Sequence, residues 1–280
     1  MTERTLPDIT NSEYARGLGL ALGGAILFAL PLLMTMEMWA MGVSAHPWRM
    51  LLFLALNFLI LVALSRFGGF ERTFSLGEDV LDALAAYAVG ILTSAMILAL
   101  FGLLVPGMSL GQWVGMVAIQ CVPASFGAMI ARKQLGSGES DEDADHAARS
   151  AGYGGQLFLM AAGALFMAFN VAPTEEMILI GFKMSAWHSL ALIAASLLVL
   201  HLMVFAIGFA GQEQAPEGYG AIRLFFAYTI PGYAVALLIS LYVLWTFGRA
   251  DGGDLAQITG TVVVLGFPAS IGAAIARLVV

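Results

Sequence analysis

A single cysteine, Cys121, stands in 280 residues, so no intramolecular disulfide can form and no cysteine-based metal site can be built. It lies within an apolar run and reads as a small packing residue. Charge is equally scarce: 11% of the residues are charged, the net charge is -7, and the basic residues form no cluster. That argues against nucleic acid as a partner. The alternating outward-apolar pattern of a membrane barrel is missing too. The one dense charge run, "ESDEDAD" at 139 to 145, follows "GSG" at 136 to 138. It lacks the spacing and terminal Glu of a calcium loop and reads as a solvated linker.

Apolar side chains dominate. They make up 60% of the chain, the mean hydropathy is +0.89, and such a composition belongs to a multi-pass membrane protein. Runs long enough to cross a hydrocarbon core of about 30 Å fall at 17–42, 49–66, 79–104, 111–132, 153–181, 186–209, 221–247 and 256–278. They predict an all-α fold of eight transmembrane helices, because unbroken apolar runs satisfy their backbone within each segment.

Basic residues set the orientation. Arg4, Arg16, Arg66, Arg72, Arg132, Lys133, Arg149, Arg223 and Arg277 fall on one side of that plan, and Arg49, Lys183 and Arg249 on the other. The expectation is a bacterial inner-membrane protein with both termini cytoplasmic. "VSA" at 43 to 45 imitates a signal cleavage site, but the apolar run before it is too long for one.

The chain also reads as written twice. Tyr14 pairs with Tyr153, Gly24 with Gly163, Thr35 with Thr174, Glu37 with Glu176, Gly42 with Gly181 and Trp48 with Trp187. "AY" at 86–87 pairs with "AY" at 227–228, which also sets Asp82 against Arg223. "PASFGAMIAR" (123–132) matches "PASIGAAIAR" (268–277) at eight of ten positions. The implied division is a cytoplasmic segment 1–16, a four-helix repeat 17–133, an acidic linker 134–150 and a second four-helix repeat 151–280. An even helix number per repeat predicts a pseudo-two-fold axis along the membrane normal.

"LPLLMTMEMW" (30–39), "GALFMAFNVAPTEE" (163–176) and the paired "PASxGAxIAR" segments resemble a bacterial family of integral membrane proteins without assigned function. The resemblance covers nearly the whole chain. It implies a multi-pass inner-membrane protein and supplies no substrate, cofactor or catalytic residue.

Carboxylates inside apolar runs are costly and mark candidate functional positions. Glu37, Glu175 and Glu176 follow Pro31 and Pro173, which should kink their helices and free the carbonyls of Leu27 and Phe169. With the hydroxyls of Thr35 and Thr174 and the amide of Asn170, these oxygens form the donor set of a hard cation or proton site. The plain alternative is that the acids sit at the interface facing water. In "PASxGAxIAR", Ala124 and Ala128, like Ala269 and Ala273, repeat every four residues and predict close helix packing, with Pro123 and Pro268 kinking the helices near mid-membrane. Asn57 and His201 read as hydrogen-bonded core residues.

Three functions follow from different classes. The first is a cation or proton channel or transporter with an acidic extracytoplasmic site; its partners are lipid and an inorganic cation, and a homo-oligomer stays open. The second is a scaffold or accessory subunit using the small-residue faces. The third is an intramembrane protease-like enzyme suggested by the adjacent glutamates and His201. Such proteases carry Arg four residues after the second Glu, where this chain has Ile180, so the expectation is no enzyme activity.

Overall fold

The computed structural model describes residues 11–68, 75–135, 152–205 and 221–279; the acidic linker therefore lies outside the described residues, apart from its first two positions. All described elements are helical: α1 (Asn11–Leu33), α2 (Met36–Ser44), α3 (Pro47–Gly68), α4 (Leu76–Leu100), α5 (Leu110–Leu135), α6 (Tyr153–Val171), α7 (Glu175–Lys183), α8 (Ala186–Phe205), α9 (Ala221–Leu224), a π-helical turn (Phe225–Thr229), α10 (Ile230–Thr246) and α11 (Leu255–Val279). Among the described residues seven spans are long and apolar enough to cross a membrane, and α1 with α2 makes an eighth if that bent pair is taken as one.

The apolar runs 17–42 and 153–181 are not single helices, which corrects two of the expected spans. The first breaks after Leu33 and turns through 88° into α2. The second breaks after Val171, and α7 begins at Glu175. Proline acts differently at the two places. Pro31 stays inside α1, and the chain opens two residues beyond it, whereas Pro173 lies in the gap itself, where its missing N–H cannot continue a helix. Pro123 and Pro268 lie inside α5 and α11, which run on past both.

Two helices are central. Across the membrane-spanning windows, 67% of α5 and 56% of α11 is buried, against 17% of α8. α1, α2, α3 and α4 pack on α5, while α6, α7, α8 and α10 pack on α11. The small residues make this possible. A Cβ on Gly127 would collide with the Gly24 carbonyl, and one on Gly163 with the Gly272 carbonyl, so backbones touch where α1 crosses α5 and where α6 crosses α11. Ala124, Ala128, Ala269 and Ala273 are fully buried beside these crossings.

The two groups meet through α3, which contacts α6 and α10, and through aromatic rings. Phe53 packs edge-on against Phe169 and Phe247 at 6.0 and 5.6 Å, Phe126 against Phe169 at 6.1 Å, and Phe28 against Phe166 at 5.1 Å. Edge-to-face pairs at such spacing add to the plain burial of the rings. At the end of the bundle that carries the breaks, Trp48 and Trp187 stand exposed at the starts of α3 and α8, as interfacial aromatics do.

Candidate functional site

The breaks hold the residues singled out in the sequence. Thr35 is extended (φ -99°, ψ 127°), as is Thr174 (φ -72°, ψ 146°). Neither hydroxyl faces a ligand: Thr35 Oγ1 donates to the Leu32 carbonyl and Thr174 Oγ1 to the Val171 carbonyl, each at 2.8 Å. Asn170 Nδ2 likewise donates to the Phe166 carbonyl at 2.7 Å. The Leu32 and Val171 carbonyls accept in addition from the Thr35 and Thr174 backbone N–H at 3.1 and 3.0 Å, so the threonines tighten the helix ends with a second donor.

Other donors complete the same task. Gln120 Nε2, from α5, reaches the Leu32 carbonyl at 3.2 Å, and Trp39 Nε1 reaches the Leu33 carbonyl at 2.7 Å. An Arg249 Nη2 bond holds the Pro173 carbonyl. The oxygens around the breaks are thus engaged by protein donors.

The carboxylates sit elsewhere on the same elements. Glu37 is in the first turn of α2 and half-buried; Glu175 and Glu176 open α7 and are exposed. Negative charge at a helix N-terminus complements the helix dipole, which accounts locally for the doublet in "NVAPTEE". Among the described residues no three Asp, Glu, His or Cys side chains come together as a metal cage.

Sequence reasoning missed an ionic contact beside the breaks. Arg49, at the start of α3, makes two bonds to Asp251 at 2.7 and 2.9 Å, donates to the Trp245 carbonyl at 2.9 Å and lies 4.9 Å from the centre of the Trp245 ring. The guanidinium holds the Asp251 carboxyl below its usual range through that hydrogen bond. The stretch from Trp245 to Asp251 thereby links α3, through Arg49, to the α6–α7 break, through Arg249. Arg49 and Arg249 entered the sequence reading only as orientation charges; their spacing along the chain gave no sign of partners.

Two mid-span expectations are met. Asn57 Nδ2 donates to Tyr87 Oη at 2.8 Å and to Ser125 Oγ at 3.3 Å, joining α3 to α4 and α5. His201 Nδ1 bonds the Thr229 hydroxyl at 2.8 Å within the π-helical turn.

Residues 17–280 match the family model described as "Putative integral membrane protein (DUF2391)". The chain belongs to this family. No curated protein and no solved structure matches it. The family's description gives the membrane and no reaction, so any function has to be argued from the geometry above.

Proposed function

We propose that the chain is a cation or proton channel or transporter, made of two copies of one unit, with Glu37, Glu175 and Glu176 forming a water-facing acidic entrance. The observation that carries this reading is the recurrence of one device. A span breaks, a threonine caps the broken end, and a nine-residue helix opens on an acid, at Met36–Ser44 and again at Glu175–Lys183. Clustered like charge at a pore mouth raises the local cation concentration.

Duplication is supported element by element. The spans Leu76–Leu100 and Ile222–Thr246 have equal lengths of 25 residues. Each ends on a phenylalanine followed by a glycine at φ 70°, Gly102 and Gly248, a backbone region that suits glycine. In that register Tyr87 stands against Tyr233, not Tyr228, and the pairing of Asp82 with Arg223 falls away. Asn57 beside Tyr87 then corresponds to Ser196 beside Tyr233. The Gly24–Gly127 crossing corresponds to Gly163–Gly272.

The scaffold reading keeps only part of its main feature: Ala124, Ala128, Ala269 and Ala273 are buried inside the chain, while Gly19 and Gly23 on α1 stay open. The test is cation and proton flux in liposomes, with Glu37→Gln/Glu176→Gln as the variant. Its size is kept and its charge removed, so flux should fall about tenfold or more. Unchanged flux for every cation in a folded double variant overturns the acidic entrance, and the absence of any flux in the parent overturns the transport reading.

A further inference from the structure

The first half buries polar groups that its own packing leaves unpaired. Asn57 Oδ1, Gln120 Oε1, Thr93 Oγ1 and Ser94 Oγ have no hydrogen-bond partner among the described residues, and these four residues are at most 1% exposed. In a span surrounded by hydrocarbon such groups are costly unless something bonds them. Two are amide oxygens that accept only, and two are hydroxyls that both donate and accept. Water is the one small species that serves all four.

Their placement is ordered. Gln120 holds the Leu32 carbonyl at the α1–α2 break, where Thr35 bonds the same atom and Glu37 follows two residues later. α4 runs antiparallel to α5, and a Cβ on Gly90 would come within 2.9 Å of the Cys121 carbonyl and 3.0 Å of the Ser125 amide nitrogen. That crossing fixes the register, so Thr93 and Ser94, one turn beyond Gly90, lie level with Gln120 and Cys121. On the other side of the crossing stand Tyr87, Ser125 and Asn57, bonded to one another through Asn57 Nδ2. Polar groups thus occur at successive levels from the break to mid-span. There they meet an apolar layer of Leu61, Ala83 and Ala86, all fully buried, before the next polar pair, Ser65 and Asp82, bonded at 2.9 Å.

The second half differs at these positions, although it too has unpaired buried hydroxyls among the described residues, Tyr233 Oη and Tyr242 Oη. In the register of Pro123 with Pro268 and Tyr87 with Tyr233, Gln120 stands against Leu265, Thr93 against Ile239 and Asn57 against Ser196. Ser196 and Ser240, the latter opposite Ser94, each bond a carbonyl of their own helix at 2.7 and 2.8 Å.

Resting on the transport reading, we propose that the first half carries a hydrated proton path, running from the Glu37 break through Gln120, Thr93 and Ser94 to Asn57 at mid-span. Protons pass along the water file, and the Leu61 layer closes it.

Cys121 offers a native reporter, since it is the only thiol, adjoins Gln120 and places its Sγ 3.9 Å from the Tyr87 carbonyl. The experiment transfers purified parent protein into heavy water and follows the infrared S–H band. A hydrated file replaces it by the S–D band within minutes, whereas an S–H band that persists for hours means a dry core and overturns the path even if the protein transports cations. Gln120→Leu, which installs the residue found opposite in the second half, and Thr93→Val should each slow that exchange. They should also lower proton flux in liposomes by roughly tenfold or more while the protein stays folded. Flux unchanged in both variants overturns the path and leaves the transport reading intact; a parent with no cation or proton flux overturns that reading and the path with it.

Discussion

Individual side chains decide what the two helix breaks are for. The sequence placed threonine, proline and acid together and offered the hydroxyl as a ligand. A hydroxyl can accept or donate, and composition alone does not say which; in the fold each threonine hydroxyl donates to the carbonyl three residues earlier, which also accepts from that threonine's backbone N–H. Trp39 shows the same logic, because its indole serves the carbonyl of fully buried Leu33. Trp39→Phe keeps the ring and strands that oxygen, so unfolding in detergent should show a loss of about 1–3 kcal/mol. The Arg49–Asp251 pair is more exposed, and solvent screens exposed pairs. Its pH dependence is nonetheless signed. Asp251 titrates lower in the folded protein, so its contribution is present above the ordinary carboxylate range and is lost as pH falls through the lowered value. Melting of parent and Asp251→Asn should therefore differ at neutral pH and converge in acid; a gap that widens toward acid would contradict this.

At the level of elements, hydropathy found the spans but could not see the breaks. α2 is apolar enough to extend α1 in any windowed reading, and only a chain terminated by capping donors turns through 88°. The π-helical turn before α10 was equally hidden: it adds a wider turn without changing composition, and Tyr153 Oη bonds a carbonyl inside it, that of Ala227, at 2.8 Å. The small-residue crossings, by contrast, were legible, because glycine and alanine at four-residue spacing have few other reasons to recur in an apolar run. They carry a prediction. Gly127→Val must push α1 from α5 where the Gly24 carbonyl fills the space, and overpacking of this kind costs about 1–3 kcal/mol. Thermal unfolding should drop accordingly, and the same change at Gly17, which has open space around it, should leave stability nearly unchanged.

For the molecule as a whole, orientation is the quantity that ties the halves to a function. If the units are copies that each cross the membrane an even number of times, both breaks open on the same side, and the acids can form one entrance. If the copies were inverted, Glu37 would face one compartment and Glu176 the other, and no shared mouth could exist. The positive-inside rule favours the first arrangement, since in the eight-span plan drawn from the sequence nine of the twelve basic residues are expected on the side opposite the breaks. Labelling separates the two. In a Cys121→Ala background, Glu37→Cys and Glu176→Cys should both react with a membrane-impermeant maleimide added to intact cells, because each original side chain is at least partly open to solvent at its helix start. A cysteine replacing Ser140, in the acidic linker, should react only after the membrane is opened. Reaction of Glu37→Cys and Glu176→Cys from opposite sides would make the repeat inverted, and the acidic entrance would have to be abandoned along with it.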